Sequence, residues 1–247
     1  TTILIISLFS CSKEIDEIEI LPYTAASLDE TAGTWKTFVL TSPDEILINE
    51  PVPVTDAAYL SELDSVKYTV IPNLTGDQKA LIQYWGAGAV LRWNEIAREL
   101  SARYNLPPAS NAAGQYPVPD PANPLADPKF PFANPPYTAR ALAYLSVAQY
   151  DALVSAWHYK YHFNRKAPYE VDTSIKPLLP PSDLPAYPSE DAVVAQASYA
   201  VLLAMFPGEE PFLRSKLEEC MQVPVWAGMN VNSAIDAGIK IGADVAA

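Results

Sequence analysis

The sequence predicts an all-α protein. Three observations carry that expectation. Apolar residues recur at three- and four-residue steps in several long stretches, helix-start signals stand directly before those stretches, and no run alternates apolar and polar residues as a half-buried strand would. The start signals are Thr75 with Gln78 in capping-box spacing, Pro135-Pro136, Ser189 followed by Glu190 and Asp191, and Pro211.

Each element follows in turn. Residues 12–34 are acidic and polar without a sustained period, as in a tether that need not pack. The run Trp35 to Leu40, then Ile46-Leu47-Ile48, reads as extended chain broken by Pro43, Pro51 and Pro53, and is expected to wrap the domain rather than build a sheet. Thr55 caps a short helix through Ala57, Leu60, Leu63 and Val66. A first long helix is predicted from Thr75 to about Tyr104, on the spacing of Leu81, Tyr84, Trp85, Ala89, Trp93, Ile96, Ala97 and Leu100. Gly86 and Gly88 inside it weaken the helix and imply a close backbone contact. Residues 105–136 hold ten prolines and no period, so they form a surface insertion, a candidate lid. A second long helix runs from Pro135 to about His162, a third from Ser189 to Phe206, a fourth from Pro211 to about Met221, and a fifth from Ala234 to Ala246. With the chain stopping soon after that fifth pattern begins, a helical domain over 35–247 that lacks part of its C-terminal side is the expectation.

Charge and the N-terminus bound the function. The formal net charge of −13 opposes a polyanion over most of the surface, which sets nucleic acid aside as a partner. The opening TTILIISLFSC carries an apolar run about half as long as a bilayer-spanning helix needs, and residues 1–11 read as the remnant of an export signal. Leu8-Phe9-Ser10-Cys11 resembles a bacterial lipobox, so Cys11 is the candidate lipidation site. The expectation is an exported periplasmic or cell-surface lipoprotein of a Gram-negative bacterium, held to the membrane by its lipid alone. An ordinary cleaved secretion signal is the alternative. Once Cys11 is acylated, Cys220 has no disulfide partner and reads as a small buried hydrophobe.

Most other chemistry-bearing residues have a plain structural explanation. His158 and His162 would share a helix face, yet two ligands are too few for zinc and the chain has no third histidine. Asp151, on a largely apolar helix, reads as a buried hydrogen-bonding anchor, and Arg140 as the partner of an acid or a loop carbonyl. Ser182, Ser189 and Ser198 lack the G-x-S-x-G turn and a histidine to activate them. Trp85, Trp93, Trp157 and Trp226 read as core, with Trp226 placed to line a pocket.

Three segments in order, AQYDALVSAWHYKYHFNRKAP, AYPSEDAVVAQASYAVLLAMFP and WAGMNVNSAIDAGIKIG, together resemble the vanadium-dependent haloperoxidases and the type 2 phosphatidic acid phosphatases that share their helical bundle. The resemblance covers roughly residues 75–247 and implies a site for phosphate or vanadate. In that family the motifs are K-x6-R-P, P-S-G-H and S-R-x5-H-x3-D. Lysine and arginines neutralise the oxyanion, serine and a glycine N–H donate to it, one histidine moves a proton and another bonds the central atom.

Laid on those motifs, Lys160 and Ser189 match. Ala167 stands where the first arginine belongs, with Arg165 two residues away as a possible substitute. Glu190 and Asp191 replace glycine and histidine, Val223-Pro224 replace serine-arginine, Asn230 replaces histidine, and Ala234 replaces the aspartate, with Asp236 two residues late. A like-charge pair near 4 Å costs about 4 kcal/mol at an effective dielectric near 20, so two carboxylates would strongly oppose an oxyanion. The expectation is therefore a degenerate site, in a pseudoenzyme or ligand-binding relative, with no resident cofactor. In it Glu190 and Asp191 complement a helix N-terminus and pair with Lys160 or Arg165. Alternatives are an enzyme using Lys160, Arg165, Ser189 and Asp191, with vanadate if it is a haloperoxidase; a hard-cation site of Glu190, Asp191 and Asn230, which Asp236 could join; and a surface interaction lipoprotein using the proline loops. Its partner would be a small-molecule anion or a ligand that the sequence does not identify; the sequence leaves the oligomeric state open.

Overall fold

The computed structural model describes residues 21–22, 28–105, 110–115 and 132–247. The expected signal, Cys11 and most of the 105–136 insertion, with its lid, lie outside the described residues. Among the described residues there is helix and irregular chain but no strand, and no helix is long and apolar enough to cross a membrane.

The helices are α1 (Ala57–Asp64), α2 (Gly76–Trp85), α3 (Ala89–Tyr104), α4 (Pro135–Phe163), the single turn α5 (Pro168–Val171), α6 (Glu190–Met205), α7 (Glu210–Trp226) and α8 (Asn232–Val245). Helix α6 is apolar on nearly every side and takes the centre, packed by α3, α4, α7 and α8. Its Ala192, Val193, Ala195, Ala197 and Leu202 are fully buried. Helix α8 lies on it almost backbone to backbone. A Cβ on Gly242 would fall 2.4 Å from the Val193 carbonyl oxygen, and one on Gly238 would fall 2.6 Å from that of Ser189.

Three helix boundaries differ from the sequence expectation, the first being that α1 is capped by Asp56, whose side chain accepts from Ala58 N–H at 2.8 Å, and not by Thr55. The predicted helix from Thr75 to Tyr104 is two helices, because Gly88 sits at φ 113, outside helical space, and turns the chain between α2 and α3. The Thr75–Gln78 capping box at the start of α2 is formed in both directions. Helix α7 runs five residues past Met221, through Pro224. A proline so near a helix end forfeits one hydrogen bond, and the Pro224 carbonyl accepts from Met229 N–H at 2.8 Å and Asn230 N–H at 3.1 Å to close the turn toward α8.

An irregular strap from Leu28 to Pro53 lies along α4, and its packing begins before Trp35. Trp157 Nε1 donates to the Leu28 carbonyl at 2.9 Å, and Tyr159 OH donates to that of Ile46 at 2.8 Å. Asp151 is the anchor. Its fully buried carboxylate accepts from the backbone N–H groups of Phe38, Val39 and Leu40 at 2.8, 2.6 and 3.0 Å. Cys220 is buried, as expected of a small hydrophobe. Arg140 lies 5.0 Å from the Tyr137 ring centroid, a cation–π contact with its own helix in place of the expected acid or carbonyl.

Candidate functional site

The C-terminal end of α4, the loop from Asn164 to Ser189, the N-terminus of α6 and the turn between α7 and α8 meet at one place. Loop bonds hold them there. Ala186 N–H donates to the Arg165 carbonyl at 2.8 Å, Ser189 N–H donates to that of Ala234 at 2.9 Å, and the Asn230 side-chain amide donates to that of Ala186 at 2.8 Å. The three sequence segments thus converge, but their side chains divide among different tasks.

Lys160 is fully buried. Its ammonium donates to the Pro185 carbonyl at 2.5 Å and forms an ion pair with Glu190 Oε2 at 2.8 Å. Glu190 keeps about a third of its side chain exposed, so the pair joins an interior cation to an acid at the cavity edge. A buried ammonium requires such a partner. With it in place, the Lys160 charge is matched by Glu190.

Arg165, the candidate substitute for the missing family arginine, packs against two tyrosine rings and is not among the residues lining the cavity of Glu190 and Asp191. It is 6% exposed, and its guanidinium carbon lies 4.2 Å from the Tyr59 ring centroid and 5.7 Å from that of Tyr187. Neither terminal nitrogen has a hydrogen-bond partner among the described residues, and burial pulls its pKa down. It pairs with neither Glu190 nor Asp191. Ser189 is sealed from solvent, and its hydroxyl accepts from Ala192 N–H at 3.5 Å as the cap of α6. Ala167 is buried, and its backbone N–H donates to Glu170 Oε2 at 2.7 Å. Pro224 lies within α7, Ala234 is buried, and Asp236 lines a separate cavity of about 280 Å3 with Tyr187 and Lys240.

Asp191 stands apart from that pairing. Enclosure by protein, and secondarily the neighbouring Glu190 charge, push its carboxyl up to about 7 against the opposing pull of Lys160. No hydrogen bond or ion pair reaches this carboxylate among the described residues. It lines a cavity of about 390 Å3 together with Asp29, Trp85, Trp157, Glu190 and Asn230. Leu179, Met229 and other apolar side chains complete the wall, and no Lys, Arg or His is among the lining residues. Sequence reasoning missed Asp29, which falls in the stretch read as a tether, and the wall formed by 86–91. Both are remote in sequence from the motifs and carry no local signal. Trp226 packs against the core, as read from the sequence, and is not among the residues lining this cavity.

This arrangement does not fit vanadate or phosphate. The one motif lysine is neutralised, Arg165 is held elsewhere by aromatic rings, Ser189 is occupied as a cap, and Asn230 cannot replace a histidine that bonds the central atom. Of the hard-cation alternative, Glu190, Asp191 and Asn230 line one cavity and Asp236 does not join them. Asp236 lines the other cavity, Glu190 serves Lys160, and no cluster of three His, Cys, Asp or Glu suited to a metal occurs among the described residues. His158 and His162 stack with ring centroids 6.2 Å apart.

Neither a family model nor a curated protein sequence matches the chain. Solved structures do. A bacterial vanadium-dependent iodoperoxidase superposes with a TM-score of 0.67 at 23% identity, over 92% of this chain and 58% of its own. A bacterial vanadium-dependent chloroperoxidase superposes in its apo form with a TM-score of 0.66 at 16% identity, over 88% of this chain and 55% of its own. Its holo form gives 0.65 at 15%, over 88% and 53%. The chain thus spans little more than half the length of these solved proteins, and its fold is the all-α fold of the bacterial vanadium-dependent haloperoxidases.

Proposed function

We propose that this chain belongs to an exported protein of the haloperoxidase and phosphatidic acid phosphatase superfamily, and that residues 28–247 form a non-catalytic helical framework whose converged motif site excludes tetrahedral oxyanions. The observation that carries this reading is the ion pair between Lys160 and Glu190 at 2.8 Å, which takes the one lysine matching the family motif out of service. The unpaired Asp191 carboxyl beside it adds repulsion to any oxyanion that approached. Because the solved relatives extend well beyond the span matched here, halide oxidation or phosphate-ester cleavage by the full-length protein would have to draw on residues outside this span. Export and lipid attachment at Cys11 rest on the Leu8–Cys11 pattern.

The test is turnover. The purified 247-residue chain should give no vanadate-dependent oxidation of iodide or bromide by peroxide and no hydrolysis of a chromogenic phosphate ester. Turnover abolished by Lys160→Ala would replace this reading with a rearranged enzyme using Lys160, Arg165, Ser189 and Asp191.

A further inference from the structure

We propose that the strap face carrying Trp35, Phe38 and Val39 is a docking surface for a zwitterionic lipid bilayer, and that it orients the helical framework on the membrane. The inference rests on the proposed export and lipid attachment at Cys11. The lipid supplies attachment and the aromatic face supplies orientation.

The strap sorts its side chains. Thr37 and Leu40 are buried, whereas Phe38 and Val39 between them are 74% and 66% exposed, and Trp35 is 43% exposed. Asp151 enforces the sorting. Its buried carboxylate holds the backbone N–H groups of Phe38, Val39 and Leu40 from the inner side, which leaves the Phe38 and Val39 side chains outermost. The exposed rings are contiguous, since Tyr150 on α4 stacks with Trp35 at a centroid distance of 6.4 Å and meets Phe38 edge-on at 5.3 Å. Single apolar side chains at a surface are ordinary, but a contiguous group fixed in place by a buried acid marks a contact surface.

The point where the chain enters the fold selects the partner. Pro22 lies beside the turn between α2 and α3, 3.1 Å from where a Cβ on Gly86 would stand, and Leu28 is bonded to Trp157 of α4. Leu153 and Trp157 line both the cavity that Gly86 borders and the cleft beside Trp35 and Tyr150. Entry point and aromatic group therefore flank the same turns of α4. Cys11 stands eleven residues before Pro22, and a chain of that length spans at most about 40 Å. An acyl group on Cys11 thus keeps this face within reach of the bilayer. Indole and phenol rings join an apolar body to a polar edge, which suits the headgroup boundary. The net charge of −13 opposes an anionic surface, so burial of the rings holds the contact and zwitterionic headgroups are favoured.

A fluorophore placed on the strap tests this. The 247-residue chain carrying Cys11→Ser and Phe38→Cys is labelled with NBD at position 38. It is held on phosphatidylcholine vesicles by an amino-terminal histidine tag and a nickel-chelating lipid, so the readout does not depend on acylation. Cys220 is buried and escapes labelling. The same label on Glu218→Cys, at an exposed position of α7, is the reference. Expected are a blue shift at position 38 and quenching by nitroxide-bearing lipid about threefold or more stronger than at position 218, falling to the reference level with Val39→Asp. Equal quenching at the two positions would overturn the inference, as would quenching that requires added phosphatidylglycerol. A shift at position 38 that grows with protein concentration when vesicles are omitted would overturn it too, in favour of a second copy of the chain. Acylation is scored separately, as palmitate incorporation that Cys11→Ser abolishes. Incorporation with equal quenching sinks the docking surface and leaves the lipid anchor; strong quenching at position 38 without incorporation upholds the surface and sinks the anchor.

Discussion

Replacing Asp191 by asparagine should remove a pH-dependent penalty on stability. Enclosure raises this carboxyl from the usual 3.8 to about 7 in the folded protein. Between those values the unfolded chain gives up the proton while the folded chain keeps it. The folded state therefore binds more protons, and stability falls as pH rises through that window. At 1.36 kcal/mol per unit, the full shift corresponds to about 4 kcal/mol, and the part between pH 5 and pH 8 to roughly 3 kcal/mol. Asparagine keeps the shape and cannot ionise. Urea unfolding of both proteins at pH 5 and pH 8 should show the variant gaining on the parent by roughly 3 kcal/mol at the higher pH. The comparison cancels every other titrating group. Parallel pH profiles for the two proteins would refute the reasoning, since they would mean that the Asp191 carboxyl is solvated like any surface acid.

Glu190→Gln leaves the Lys160 ammonium buried without its counter-ion; it should destabilise the fold by about 2 kcal/mol in a thermal melt and make phosphate binding by calorimetry detectable where the parent shows none. Asp151→Ala strands the N–H groups of Phe38, Val39 and Leu40. Because Phe38 and Val39 are largely exposed and can bind water once released, the loss in denaturant unfolding should be about 3 kcal/mol, with new protease cleavage in the strap. Gly242→Ala drives a methyl to 2.4 Å from the Val193 carbonyl, so α8 must shift away from α6 at a cost of about 1–3 kcal/mol in the same assay.

The helices that carry the fold were readable because their apolar spacing and start signals are local properties. Pro135-Pro136 open α4 and Ser189 caps α6, as their start signals indicate, whereas the close approach of α8 to α6 at Gly238 and Gly242 emerges only in the fold. The break at Gly88 was not readable as a break, because a glycine within a helical pattern is compatible with either outcome until its φ is known. Helix α7 outruns its expected end near Met221, since the last turn of a helix tolerates the missing N–H of Pro224. At the site, charge types alone suggested that Lys160 or Arg165 would meet Glu190 or Asp191. Which cation meets which acid depends on Tyr59 and Tyr187, two rings distant in sequence that claim Arg165. The cavity was least readable. Its wall joins Asp29, the α2–α3 turn and the Leu179–Leu184 loop, brought together only by the bundle.

Orthovanadate binding by the purified 247-residue chain at neutral pH, followed by vanadium NMR and by calorimetry, tests the central claim most directly. With Lys160 held by Glu190 and Asp191 standing beside it, the account predicts no saturable binding. Tight single-site binding that disappears in Lys160→Ala would contradict it.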